Sequence, residues 1–391
     1  MQNKSAKLMI HNGPVFDGFR LHEQTTVLIK DGKIETINDQ PICTKDCQEI
    51  NAQGNLVMPG LVDLHSDSLE RSIEKRKGIF FDVDFAILNL DRHLAACGIT
   101  TYCHAICFAD NELGLRAPSE AANCVDRIRH FNTSSQALVN HKVHIRYEVG
   151  SEQSFQLVSD LVNQGLVDMV SIMDHTPGQG QFKSMQSYIQ FHAVEYQESE
   201  QVIREKAKEK RMNNPQAWQL VRNLAETVAK AGIPMLSHDD DTRQKVDLIR
   251  SLGTGASEFP VTEIAASEAR RHGLKIFMGA PNLIRNQSTN GNLKASDALR
   301  AGLCDGLMSD YYPESLLQSG FIGQAYTECP EKALKTVTSG PGAFLNAGGR
   351  PGQLVPGADA DIIIVDRNHP WAHVTRTLVK GFTVYQIQEE R

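Results

Sequence analysis

Between roughly residues 56 and 345, short apolar runs alternate with helical stretches, and that rhythm restricts the fold more than anything else in the 391 residues. The apolar runs fall at 56–62, 100–106, 143–148, 167–173, 233–236, 275–278 and 306–308. Residues 89–97, 119–131, 214–231 and 261–272 carry the spacing of helices. Such repetition predicts a parallel sheet with crossover helices, because parallel neighbours need a long connection. A (β/α)8 barrel requires eight strands. Seven are clear, and a weaker run at 255–259 supplies the eighth. A doubly wound open sheet is the structural alternative.

The two ends of the chain read differently. Thr25 to Lys30 is a β-branched run, followed by Asp31-Gly32 and a second run from Lys33. An Asp-Gly pair between such runs is a hairpin signal, since both turn residues must take positive φ. Ile362 to Val365 and the stretch around Leu378 to Tyr385 repeat the style. Residues 1–55 and 346–391 are therefore expected to build one small β domain, with a barrel at 56–345 inserted between its halves. The polar segment 183–211 is expected to be a solvated helical excursion or a lid over the barrel mouth.

With 40 Lys+Arg against 47 Asp+Glu, the formal net charge is −7, which argues against a nucleic-acid binder. No apolar run reaches the ~18 residues of a membrane span, and no signal-type segment follows Met1 to Ser5. Eight cysteines are too sparse for a disulfide scaffold, and Cys43/Cys47 and Cys103/Cys107 lack zinc-ribbon spacing. Reduced thiols and a cytoplasmic location are expected, with Cys103 and Cys107 as packing residues. No P-loop, HExxH helix or G-x-S-x-G elbow is present.

Metal-ligating residue types recur where the candidate strands end: His65-x-Asp67, Glu148, Asp174-His175, His238-Asp239 and Ser309-Asp310. In a barrel these ends converge on one mouth. Residues two apart on a strand project to the same side, so His65 and Asp67 can share one ion. Imidazoles and carboxylates together suit a divalent ion: Zn first, with Mn, Fe or Ni as alternatives. Lys75 and Arg76 follow the first motif, and Arg146, Arg243 and Arg285 lie near strand ends. With Asp239, they are candidates for binding a small anionic substrate.

Val57-Met58-Pro59-Gly60-Leu61-Val62-Asp63-Leu64-His65-x-Asp67 resembles the opening strand of the amidohydrolase superfamily. The stretch from Gly352 to Asp366, after Ser339-Gly340-Pro341-Gly342-Ala343, resembles that superfamily's return to its small β domain. Met173 to Gln181, Ser237-His238-Asp239-Asp240 and Met278-Gly279-Ala280-Pro281-Asn282 are similar to the phosphonate-metabolism branch. That branch removes pyrophosphate from α-D-ribose 1-methylphosphonate 5-triphosphate.

The resemblance implies a (β/α)8 TIM barrel with a small β-sandwich, and one or two divalent ions held by His65, Asp67, His175, His238 and Asp310. Glu148 is the candidate bridge between ions, because no lysine stands at a suitable strand end. Asp310 would also act catalytically, accepting a proton from the attacking water and passing it to the leaving group. Homo-oligomerisation is common in the superfamily. Loops 75–80 and 283–292 depart from the branch's usual pattern. They leave a second activity open: deacetylase, cyclic amidase or deaminase on a small carboxylate-bearing C–N substrate.

Overall fold

The structure, a computed structural model, describes residues 7–38, 47–110, 117–176, 180, 184–196, 199–212, 214–288, 291–345 and 347–387. Cys43 and parts of the Met173 to Gln181 motif and of loop 283–292 lie outside the described residues.

Eight parallel strands form one sheet in sequential order. They are β1 (Leu61–Ser66), β2 (Ile99–Phe108), β3 (Asn140–Glu148), β4 (Met169–Met173), β5 (Met235–His238), β6 (Ala256–Glu258), β7 (Lys275–Gly279) and β8 (Gly306–Met308). Helices such as Val83–Ala96, Pro118–Asn132 and Glu263–Arg271 connect them. The weak run at 255–259 is β6, a strand of three residues. The interior is filled by Val62, Leu64, Cys103, Met169, Leu236, Ala256, Phe277 and Met308. Burial pushes the Cys103 thiol well up, as befits a packing residue.

The seam between β8 and β1 closes in two ways. Low in the barrel, both strands bond to a third segment: Leu307 N–H to Thr336 O at 2.7 Å and Val62 N–H to Val337 O at 3.1 Å. At the mouth they meet directly. Asp310 N–H donates to His65 O at 3.0 Å, and Asp67 N–H donates to Asp310 O at 2.7 Å. Ser309 N–H donates to the Asp63 carboxylate at 3.1 Å, and Ser66 Oγ donates to Asp310 O at 2.7 Å.

Both chain ends build the sandwich. Lys33–Asn38, Thr26–Lys30, Lys7–His11 and Gln48–Asn51 form a four-stranded sheet. The hairpin turn is Asp31-Gly32, with φ of 52° and 76°. The second sheet runs Phe382–Gln386, His373–Val379, Ile362–Asp366, Leu56–Pro59, Val15–Phe16 and Leu21–His22. Ile10, Val27, Ile29, Ile34, Val57 and Ile362 pack between the sheets.

The expected strand at 56–62 is thus two strands. Leu56–Pro59 pairs antiparallel with Ile362–Asp366 in the sandwich, and β1 begins after Gly60. Gly60 lies against Thr100 so closely that a Cβ would meet Thr100 Oγ1 at 2.1 Å. Only glycine lets the chain cross from one sheet to the other there. The polar 183–211 segment, between β4 and β5, folds as helices Met185–Tyr196 and Glu200–Met212, with Ile189, Ile203 and Ala207 buried.

Asp361 pins the sandwich to the barrel. Its carboxylate accepts from Lys380 N–H at 2.8 Å and from Asn140 Nδ2, at the start of β3, at 3.0 Å. Burial is the main influence and pushes the carboxyl up to about 6. A folded-state pKa above the unfolded value means that folding loses stability as pH rises through that interval. We expect the wild type to lose about 2 kcal/mol relative to Asp361→Asn between pH 4 and pH 7. Urea denaturation across that range measures it, and parallel stability curves would contradict it.

Candidate metal centre and active site

Each strand end delivers its side chain through a local backbone device. In β1 the pairing with β2 shifts register between Asp63 and Ser66. His65 Nε2 and Asp67 Oδ1 come within 3.3 Å. Asp239, Phe259 and Asp310, just past β5, β6 and β8, have φ of 57°, 52° and 58°. Aspartate tolerates this left-handed region, whereas a bulky phenylalanine there is strained. The turn sets the Phe259 ring 5.2 Å from the His65 ring and 5.3 Å from the His238 ring, centroid to centroid.

Two groups of potential ligands result. His65, Asp67 and Asp310 form one, and His175, His238 and Asp239 form the other. Within each, the nearest ligand atoms lie within 4.8 Å of one another. The groups adjoin, since the His65 and His238 ring centroids are 5.6 Å apart. Glu148, from β3, accepts from His175 twice: from Nδ1 at 2.8 Å and from the backbone N–H at 3.0 Å. Arg146, two residues earlier, donates to Asp67 at 2.8 Å and touches Met173 Sδ through Nε at 3.2 Å.

The donor set fits a divalent ion. His65 Nε2 and His238 Nδ1 are buried and make no well-formed hydrogen bond, although each has a carboxylate oxygen 3.3 Å away. Buried polar atoms are rarely left so. Imidazole nitrogens converging with carboxylate oxygens are what Zn, Mn, Fe or Ni takes.

The charges are strongly coupled. Burial opposes charge on His65, but Glu258 and Asp67 outweigh it and raise the imidazole to about 10. Burial would raise Asp239, yet His238, His175 and Arg146 prevail and lower it. Burial and the Asp67 carboxylate raise Asp310 against the pull of His65 and Arg146.

A cleft of about 190 Å³ opens beside these groups, lined in part by Arg146, His238, Asp239, Asn282, Asn292 and Asp310. Among the substrate-binding candidates, Arg146 and Asp239 line it. Lys75, Arg76, Arg243 and Arg285 do not, and are exposed. Lys75 and Arg76 follow the helix Ser68–Ile73. Arg243 opens the helix Arg243–Ser251, and Arg285 ends the helix Ala280–Arg285.

Three buried residues were given no role from sequence: Glu258, Ser171 and His144. Glu258 ends β6 and accepts from His65 Nδ1 at 2.7 Å. Its position at a strand end was the available signal, obscured because β6 is so short. Ser171 and His144 lie inside β4 and β3, where nothing in the sequence marks them.

No protein-family model matches the chain. It is 30% identical over 342 residues to the α-D-ribose 1-methylphosphonate 5-triphosphate diphosphatase of Escherichia coli, covering 86% of this chain and 90% of that protein. It is 21% identical over 419 aligned positions to an imidazolonepropionase of Thermoplasma volcanium, covering 95% of this chain and 92% of that one. Among solved structures, a prolidase complexed with N-methylphosphonate-L-proline superposes with a TM-score of 0.67 at 16% identity. That match covers 98% of this chain and 100% of the prolidase.

Arg146 is the only lysine or arginine among the described residues lining the cleft. Its guanidinium offsets the repulsion between Asp67 and Asp310. Arg146→Ala is expected to destabilise the metal-free protein by about 3 kcal/mol, as for a largely buried pair losing one partner. A divalent ion, which would neutralise the same carboxylates, should restore part of the loss. Urea denaturation with and without Zn²⁺ measures both effects, and an unchanged midpoint in the metal-free variant would contradict the assignment.

Proposed function

The chain belongs to the amidohydrolase superfamily, in the family of the Escherichia coli α-D-ribose 1-methylphosphonate 5-triphosphate diphosphatase, and from that premise we propose that it is a metal-dependent diphosphatase. Its substrate in this reading is α-D-ribose 1-methylphosphonate 5-triphosphate, and its product is pyrophosphate. The observation that carries the reading is the juxtaposition of Arg146 with two imidazole–carboxylate groups at one barrel mouth. It is supported by a relative matched over nearly its whole length.

His65, Asp67 and Asp310 would hold one divalent ion, and His175, His238 and Asp239 a second. Glu148, which accepts from His175 Nδ1 and from the His175 N–H, would bridge the two ions in this reading. A bound divalent ion supplies a water of lowered pKa and neutralises charge on a phosphoryl oxygen. The rest is the work of the chain. Asp310, its carboxyl raised by burial and by Asp67, takes a proton on a carboxylate oxygen and returns it to the leaving group. Arg146 places a fixed positive charge at the cleft wall for the phosphates. Phe259, Val261, Met278 and Leu293 line the cleft and keep water from that side.

One observation favours a second reading. A triphosphate carries about four negative charges, and anions of that density are met by several cations. Only Arg146 among the described lining residues supplies one. A cyclic amide or N-acyl substrate with a single carboxylate would ask for no more than Arg146.

Product analysis separates the two. Metal-replete enzyme given α-D-ribose 1-methylphosphonate 5-triphosphate is expected to release pyrophosphate. Asp310→Asn should be slower by about 10²–10⁴-fold, the range for a lost general base. Bound metal without pyrophosphate release, alongside hydrolysis of a cyclic amide or N-acyl amino acid, would replace the first reading with the second.

A further inference from the structure

Beneath the mouth, hydrogen bonds run in a closed loop through the barrel interior. From β1, His65 Nδ1 meets Glu258 Oε1 of β6 at 2.7 Å. Glu258 Oε2 meets Ser171 Oγ of β4 at 2.8 Å. Ser171 Oγ meets His144 Nε2 of β3 at 2.6 Å. His144 Nδ1 meets Leu64 O, back on β1, at 2.8 Å. His65 is 1% exposed, and Glu258, Ser171 and His144 are fully buried.

The atoms in this loop have defined roles. A carbonyl oxygen only accepts, so His144 Nδ1 donates to Leu64; Ser171 Oγ gives its one proton to Glu258, so its contact with His144 Nε2 is a hydrogen bond only when that nitrogen is protonated too. An ionised carboxylate also only accepts, so His65 Nδ1 carries the proton facing Glu258. That leaves His65 Nε2 as the atom turned toward Asp67 and Asp310. Phe259 lies against the ring at 5.2 Å and restricts its rotation. His65, His144 and Glu258 together could themselves suggest an ion site. Both Glu258 oxygens and both His144 nitrogens are already engaged, however, so the trio has no ligand atoms to spare.

We propose that Glu258 is a positioning residue: anchored by Ser171 and His144, it fixes the proton of His65 on Nδ1 and the tilt of the ring, so that Nε2 is presented to a divalent ion. This inference rests on the metal-centre reading above, not on the identity of the substrate. A partner behind a ligating imidazole typically changes metal affinity by 10–100-fold when removed. The loop extends that support across four strands.

Co²⁺ titration of metal-stripped protein, followed by its visible absorption, tests the proposal without any turnover assay. Glu258→Ala is expected to bind about 10–100-fold more weakly and with an altered spectrum. Glu258→Gln should recover most of the affinity. Its carboxamide oxygen can still accept from His65 Nδ1 while its NH₂ donates to Ser171. Unchanged Co²⁺ affinity and spectrum in a folded Glu258→Ala would overturn the proposal, and so would a Gln variant as impaired as Ala. If Glu258→Ala does not fold, Ser171→Ala decides: it leaves the carboxylate but removes its anchor. Several-fold weaker binding by that variant supports positioning, and wild-type affinity overturns it. Wild-type protein that takes up no Co²⁺ would remove the metal centre itself and the inference with it.

Discussion

Asp310 donates its backbone N–H to His65 and accepts from Asp67, and these two bonds close the barrel at its mouth. The candidate ligands on the first and last strands are therefore placed by the same contacts that complete the fold. Lower down, the seam is held apart by residues 336 and 337, which take the hydrogen bonds that β8 and β1 would otherwise exchange. Direct pairing is concentrated where the site needs it. A perturbation at 309–310 is thus felt as a change in closure as well as in chemistry.

The rest of the site follows from that closure and from two further devices. Left-handed turns at Asp239, Phe259 and Asp310 bend the chain out of the strands while their backbone N–H groups still bond to the neighbouring strand or seam. Beneath them, the buried loop from His65 through Glu258, Ser171 and His144 supplies polar contacts that an apolar interior lacks. A buried imidazole and carboxylate are costly apart and stable when paired and fully bonded. Among described residues, the centre and the apolar interior are stacked layers of one barrel, separated by that polar belt.

Much of this was legible in the sequence. Strand–helix alternation indicates the barrel, and the Asp31-Gly32 pair locates the sandwich hairpin. His65, Asp67, His175, His238 and Asp310 stand at strand ends, where convergence follows from topology. The change of sheet at Gly60 coincides with the Pro59-Gly60 pair, a turn signal, but the apolar residues on both sides of it read as one strand. Nearness in sequence to a strand end does not say which way a long side chain leaves the backbone. Lys75, Arg76, Arg243 and Arg285 lie outside the cleft, while Arg146, inside a strand, points into it. Ser171 and His144 were invisible, since interior polar residues carry no periodic signal and acquire meaning only from partners on distant strands.

The strand-end imidazoles and carboxylates are proposed to form one ion-binding centre around the β8–β1 seam. Anomalous diffraction from crystals of the zinc-loaded protein tests it most directly. Density is expected within bonding distance, about 2.0–2.2 Å, of His65 Nε2 and of the His175–His238 pair. Zinc bound elsewhere, with these side chains keeping their mutual contacts, would contradict it.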